Sequence, residues 1–271
     1  GAAYNLDNID VTALAVTGDA ASANMLAGAT GSGQIYLSTD GGSNWVSSAK
    51  PPTGGSKTYG LMAPDFSSRG EAYAATSGIE SAFSYTADGG VTWNQIGLID
   101  TGIQTILDLA VSPNYSQDNT LFMLTWSGEY SLWRSLNSGT RWERVFTSAL
   151  ANVDSINLVE LSPRYGNNSQ VVFLAGISNG NPAIWKSTDN GQSFGPPQFT
   201  DDPTTGAPFN IKIWAVVNDN TLFVGSYDAI NNQGLVYRTT DSGLTYSTGA
   251  VVGSQPLNSI APSPDYDQDK T

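Results

Sequence analysis

The chain contains no cysteine and no histidine, and only five of its acidic residues are glutamates: Glu71, Glu80, Glu129, Glu143 and Glu160. Without Cys and His there is no disulfide, no Cys/His zinc site, no Ser-His-Asp triad and no Cys–His dyad. Charge is also sparse. Asp, Glu, Lys and Arg make up 13% of the 271 residues, roughly half the usual globular share. Basic residues are the scarcest, 11 against 24 acids, and the resulting net charge of −13 argues against nucleic acid and anionic membrane surfaces as partners. No apolar run is long enough to span a bilayer as a helix. The chain begins at Gly1 without a methionine or a signal-peptide pattern, which suggests a processed or partial chain. What remains is 39% hydrophobic and 10% aromatic, enough for a sizeable core and against disorder.

An internal repeat organises the rest. Ser38-Thr-Asp40-Gly-Gly42-Ser-Asn-Trp45 recurs as Thr86-Ala-Asp88-Gly-Gly90-Val-Thr-Trp93, then as Ser135-Leu-Asn137-Ser-Gly139-Thr-Arg-Trp142. Two more copies are Ser187-Thr-Asp189-Asn-Gly191-Gln-Ser-Phe194 and Thr239-Thr-Asp241-Ser-Gly243-Leu-Thr-Tyr246, and the terminal aromatics are 48, 49, 52 and 52 residues apart. A second motif keeps the same period: Pro64-Asp-Phe66, Pro113-Asn-Tyr115, Pro163-Arg-Tyr165 and Pro264-Asp-Tyr266, with one copy replaced by a shorter turn at Val217–Thr221. Between these marks lie short runs rich in β-branched and aromatic residues, bounded by Gly, Asn, Asp or Pro. In the third repeat they are Ile106–Val111, Thr120–Thr125, Leu132–Ser135 and Trp142–Phe146; in the fifth, Ile211–Val217, Thr221–Ser226, Val236–Thr239 and Tyr246–Thr248.

Four short strands per unit of about fifty residues predict an all-β chain, a β-propeller of four-stranded antiparallel blades. We expect a single propeller over 1–271, with blades at about 8–50, 55–100, 104–150, 154–200 and 209–250. A partial sixth blade is expected at 257–271, beginning with a strand at Leu257–Ser263, and implies a longer protein. The Asp-containing turn joins the third and fourth strands. Its carboxylate is placed to accept backbone N–H bonds, its glycine to take a left-handed φ, and its aromatic to pack between blades. Asn137 in one copy suits a hydrogen-bonding role in place of a charge-dependent one.

These five copies of Ser/Thr-x-Asp-x-Gly-x-x-aromatic resemble the Asp-box, or BNR repeat, of sialidases, xyloglucan-hydrolysing endoglucanases, sortilin-type receptors, a photosystem II assembly factor and bacterial surface proteins. The resemblance covers essentially the whole chain and implies a structural role for Asp40, Asp88, Asn137, Asp189 and Asp241 with Trp45, Trp93, Trp142, Phe194 and Tyr246. Family sialidases use three arginines, a Tyr–Glu pair and an Asp acid, and the six arginines here (Arg69, Arg134, Arg141, Arg144, Arg164 and Arg238) give no residue-by-residue match. No catalytic residue is therefore carried over. Enzyme activity stays open, with the reading leaning towards a non-catalytic chain. For a glycoside hydrolase, Asp108 and Glu160 on first strands are the candidate carboxylate pair.

Strand alternation places the Asp-containing turns on one edge of each blade and the second-to-third loops on the other, where binding is expected. Candidate ligand-binding residues there are Trp126, Glu129 and Tyr130, with Tyr227 and Asp228. The longest irregular segment is Gly195–Asn210, with Phe199, Asp201, Asp202 and Phe209. No cofactor or metal is called for. The one calcium-like pattern, Asp265-x-Asp267-x-Asp269, lacks the glycine and distal glutamate of a full calcium loop. Asn114-Tyr-Ser116 and Asn167-Asn-Ser169 fit the N-glycosylation pattern.

The expected role is an extracellular or cell-surface structural or adhesive propeller, akin to bacterial surface proteins carrying BNR repeats. Its partners would be proteins or glycans at the cell surface, without nucleic acid or membrane insertion. The alternative is a carbohydrate-active module, glycan-binding or part of a hydrolase. A third reading, an assembly scaffold like the photosystem factor, fits the Ser/Thr/Asn-rich composition less well.

Overall fold

The computed structural model describes residues 6, 9–19, 22–78, 81–98, 103–263 and 266–269. Among these described residues it forms five four-stranded antiparallel sheets. The first runs β1 (Val11–Thr17), β2 (Asn24–Ala29), β3 (Ile35–Ser38), β4 (Val46–Ser47), and the second β5 (Lys57–Met62), β6 (Ala72–Ser77), β7 (Ala82–Thr86), β8 (Asn94–Leu98). The third is β9 (Thr105–Val111), β10 (Leu121–Trp126), β11 (Tyr130–Ser135), β12 (Glu143–Thr147). The fourth is β13 (Ser155–Leu161), β14 (Val172–Ser178), β15 (Asn181–Ser187), β16 (Gln198–Phe199), and the fifth β17 (Ile213–Val216), β18 (Leu222–Asp228), β19 (Gln233–Thr239), β20 (Ala250–Gly253). Each sheet is a simple meander, each strand pairing with the next in sequence. The chain divides into two compact units, Gly1–Glu143 and Arg144–Thr271.

Burial follows from this layering. The second strands are apolar on both faces: β10 reads Leu-Phe-Met-Leu-Thr-Trp and is buried at all but Trp126. A strand covered on both sides loses the in–out alternation of a half-exposed one. The outermost strands β4 and β20 are exposed throughout.

The repeated turn is built the same way five times. The Ser/Thr hydroxyl accepts the N–H of the glycine at 2.9–3.1 Å in every copy: Ser38 from Gly42, Thr86 from Gly90, Ser135 from Gly139, Ser187 from Gly191 and Thr239 from Gly243. The same hydroxyl donates to Oδ1 of Asp40, Asp88, Asn137, Asp189 or Asp241 at 2.7–2.9 Å. That Oδ1 also accepts the N–H four residues on, at 2.9 Å in all five. The glycines have φ between 73° and 96°, a region that costs an L-residue about 1–2 kcal/mol.

A further bond, unread from the sequence, ties the two turns of each blade edge together. The residue after the Asp or Asn, with φ 60–74°, donates its N–H to a carbonyl in the first-to-second turn of its own sheet. These pairs are Gly41 to Ala23, Gly89 to Gly70, Ser138 to Asn119, Asn190 to Gln170 and Ser242 to Asn220, at 2.9–3.1 Å.

Aromatics then join one sheet to the next. In the first unit Trp93 is 1% exposed, packs with Leu26 and Ile35 of the first sheet, and donates its indole N–H to Gly90 O at 3.0 Å. Trp142 meets Phe83 edge-on at 5.0 Å between centroids, and the Tyr115 hydroxyl pairs with that of Tyr73. In the second unit Phe194 packs on Phe146 at 4.8 Å, and Tyr246 stands edge-on to Phe209 at 5.0 Å. Trp45, in the first sheet, is only half-buried.

The Pro-x-aromatic turns form one-turn helices at α1 (Phe66–Arg69), α2 (Tyr115–Asp118) and α3 (Tyr266–Asp269). The shortened copy is a tight turn in which Asn218 Oδ1 accepts the N–H groups of Asn220 and Thr221. Two expectations need correction. The last strand of the fifth repeat is Ala250–Gly253, in place of Tyr246–Thr248, because Tyr246 is turned into the core and does not lie in the ladder. Leu257–Ser263 is not a strand, since no described strand pairs with it. It lies along the fifth sheet instead: a Cβ added at Gly225 would stand 3.1 Å from the Leu257 side chain. Tyr266 then meets Phe223 edge-on at 5.4 Å and sits under the Arg238 guanidinium.

Candidate functional site

The turn edge leaves its carboxylates little chemical freedom. Asp40, Asp88, Asp189 and Asp241 each accept a second side-chain bond on Oδ2, from Asn44, Thr92, Ser193 and Thr245, at 2.5–2.6 Å. The third copy pairs Asn137 with Arg141, where an amide NH2 offers no acceptor and no hydroxyl stands opposite it. These bonds hold the carboxyls below their usual range. For Asp189 the Ser193 hydroxyl is the largest cause, followed by the Ser193 N–H and the Ser187 hydroxyl, and the pKa falls to about 2. Asn44 does the same for Asp40, whereas at Asp88 and Asp241 the bonds overcome an opposing effect of burial.

On the opposite edge the candidates fall into two groups. Trp126 and Tyr130 are directly opposed residues closing the β10–β11 hairpin, with Glu129 in its turn, and all three are partly exposed. Tyr227 and Asp228 end β18 in the second unit, at the start of the β18–β19 loop. Asp228 Oδ1 accepts the N–H of Ile230 and of Asn231 at 2.8 and 3.1 Å, and Oδ2 the Asn231 amide at 2.7 Å. The Asn231 amide is the main cause that lowers its pKa. The Tyr227 hydroxyl bonds Asn232 Oδ1 at 3.1 Å. Four hydrogen bonds thus brace this loop, and its tip presents Ile230 at 92% exposure.

Several sequence candidates serve the fold. Within Gly195–Asn210, Gln198–Phe199 is the fourth strand of its sheet. Phe209 is buried, stacked on Tyr237 at 3.7 Å and 5°. Asp202 accepts the Thr204 and Thr205 N–H groups and the Tyr237 hydroxyl, the last at 3.0 Å. Burial, and then Asp202, pushes Tyr237 up to about 12. Glu160 Oε1 accepts the Val216 N–H at 3.0 Å. Asp108 Oδ1 accepts the Leu109 N–H at 2.9 Å and lines a 340 Å³ recess with Tyr59 and residues of β1 and β5. Asp265 and the Asp267 side chain lie outside the described residues, and Asp269 accepts the Ser263 hydroxyl. Among the described residues no cluster of three or more acids is placed to hold a metal, and no helix is long and apolar enough to cross a membrane.

Two cavities on the turn edge were missed from the sequence. One, of 280 Å³, lies between the second and third sheets and is lined by Arg69, Glu71, Tyr73, Tyr85, Ile96, Tyr115, Ser116, Asn119, Ser138 and Thr140. The other, of 770 Å³, lies between the fourth and fifth sheets, over Lys186, with Phe194, Pro196, Gln198, Asn220, Ser242 and Leu244 on its walls. Tyr85 and Lys186 occupy the same repeat position, one residue before the turn motif; Leu37, Arg134 and Arg238 fill it elsewhere. The turn residues around it recur, while this position varies, and that contrast was the available signal.

No family model matches the chain, and neither does any curated protein. Solved structures do. A YCF48 chain bound to a D1 peptide is similar at TM-score 0.59 and 18% identity, over 92% of this chain and 71% of that one. A GH74 xyloglucanase from Xanthomonas campestris is similar at 0.58 and 14%, over 86% of this chain and 36% of the enzyme. Sqt1 from Saccharomyces cerevisiae is similar at 0.61 and 13%, over 92% of this chain and 64% of Sqt1. The chain thus spans only about a third of the xyloglucanase. At these identities the likeness concerns fold, which is that of a β-propeller with four-stranded antiparallel blades.

Proposed function

We propose that the chain is a non-catalytic interaction propeller of the Asp-box type, working outside the cell or on its surface and engaging a protein partner through its second-to-third loops. The observation that carries this reading is the β18–β19 loop: three hydrogen bonds accepted by Asp228 and one donated by Tyr227 hold a turn whose tip is a 92% exposed isoleucine. A large apolar side chain on a preorganised turn is what a protein interface uses, because little ordering entropy remains to be lost on binding. A propeller of similar fold, YCF48, has been solved bound to a D1 peptide, which supports this reading.

A photo-crosslinking amino acid at position 230, in the native cells, should give a discrete adduct that the same probe at Val91 on the turn edge does not. Adducts at Val91 alone, or none at either position, would overturn the reading. Protease treatment of intact cells tests the location: a surface protein is digested, an internal one is spared.

The second reading, carbohydrate binding, rests on the partly exposed Trp126 opposite Tyr130, an aromatic pair at the mouth of a hairpin. Saturable binding on a glycan array that disappears in Trp126→Ala would favour it.

A further inference from the structure

The cavity between the second and third sheets brings an aromatic ring, an Arg–Glu pair and a hydroxyl to one opening. Its floor is aromatic but closed: Tyr73 and Tyr115 are each 2% exposed, their hydroxyls paired, with the Tyr73 ring stacked on Phe83 at 5.7 Å. Of the three tyrosines lining the cavity only Tyr85 is partly exposed, tilted against Tyr73 at 5.4 Å, which leaves it as the one ring a ligand can reach. Beside it Arg69 donates to Glu71 at 3.0 Å and to Asp65 at 3.4 Å. A guanidinium has five N–H donors, so Arg69 retains donors with no protein partner. On the far wall Asn119 Oδ1 accepts the Ser138 hydroxyl, and among the described residues the Ser116 hydroxyl and the Asn119 amide N–H2 make no hydrogen bond.

The rim therefore holds donors, an acceptor carboxylate and a hydroxyl, all around one aromatic face. That mixture suits a ligand whose polar groups both donate and accept while its body is flat and weakly apolar. A cation would want several open ring faces, and Tyr73 and Tyr115 are closed. An anion would meet the Glu71 carboxylate beside a single guanidinium that Glu71 and Asp65 already neutralise. We propose that this cavity binds a single neutral pyranose ring, stacked on Tyr85, with adjacent hydroxyls shared between Arg69 and Glu71. Its 280 Å³ limits the occupant to about one ring, a terminal residue or a branch in preference to the middle of a chain.

The test is saturation-transfer NMR on the full chain with a panel of methyl glycosides: glucoside, galactoside, mannoside and xyloside. At least one should receive saturation. Its affinity should fall about tenfold in Tyr85→Ala, the scale of one lost aromatic contact. Because Tyr85→Ala perturbs a packed ring, Ser116→Arg, an exposed rim substitution that fills the cavity mouth, should abolish transfer without lowering the melting temperature. Four results would each overturn the proposal: no transfer with any glycoside, transfer unchanged in Ser116→Arg, transfer lost only in Trp126→Ala, or Tyr85-dependent binding of Nα-acetyl-lysine amide stronger than of every glycoside.

Discussion

The two turn-edge cavities are the same place in the repeat, filled differently. Both lie between consecutive sheets, and in both the residue before the turn motif faces the first-to-second turn of the next sheet. Between the second and third sheets that residue is Tyr85, and the neighbouring Asn119 is bonded to Ser138. Between the fourth and fifth it is Lys186, whose ammonium donates to Asn220 at 2.9 Å and to Ser242 at 3.0 Å. Burial lowers the Lys186 pKa, with Asp219 acting in the opposite sense. One cavity is small and rimmed by an Arg–Glu pair; the other is open, with Phe194, Pro196 and Leu244 on its walls. The turn motif thus acts as a constant frame, and individuality resides in the side chains it leaves unconstrained.

The frame itself should respond most strongly to substitution. A Cβ at Gly139 would stand 2.4 Å from the Phe83 ring, with φ at 80°, whereas at Gly243 it would stand 3.1 Å from the Tyr246 hydroxyl. Gly139→Ala should cost about 3 kcal/mol or more and Gly243→Ala about 1–2 kcal/mol, measured by urea unfolding. Equal costs would mean that the two frames are not packed as described. Next come the hydroxyls. Ser135→Ala and Thr239→Ala each leave a buried glycine N–H without its acceptor and should cost about 1–3 kcal/mol in both places alike. A marked difference between the two would break the identity of the frames. The smallest effect belongs to the variable position: Lys186→Met, which removes two partly exposed bonds to neutral groups, should change stability by less than about 1 kcal/mol.

Much of the fold was legible because its determinants are local. The turn needs a hydroxyl, an acceptor and a glycine at fixed spacing, and those residues recur at about fifty-residue intervals. The cross-turn bond was also visible in principle. Gly41, Gly89, Ser138, Asn190 and Ser242 are all small or Asn, as a left-handed donor position favours. Tyr246 was misplaced because an aromatic after a turn reads equally as a strand start or as an inter-sheet plug. Leu257–Ser263 shows that strand composition does not make a strand without a partner to pair with. The site was less legible. Asp202, Asp228 and Phe209 have the composition of a binding loop, yet each is engaged within the fold. Tyr85 and Lys186 were hidden inside strands, and their cavities arise only when a second sheet packs alongside.

The central claim, that the turn aspartates are architecture, is tested most directly at Asp189, where the second carboxylate oxygen and the charge can be removed together. The folded pKa of about 2 lies below the unfolded value of about 3.9, so the contribution of Asp189 is fully present above the latter and is lost as pH falls through about 2. Urea unfolding of the wild type and Asp189→Asn, compared at pH 7 and at pH 2, provides the measurement. The account predicts that the variant is less stable at pH 7 and that the gap narrows towards pH 2, where the wild-type carboxyl becomes protonated. A variant as stable as the wild type at pH 7, or a gap unchanged by acid, would contradict it.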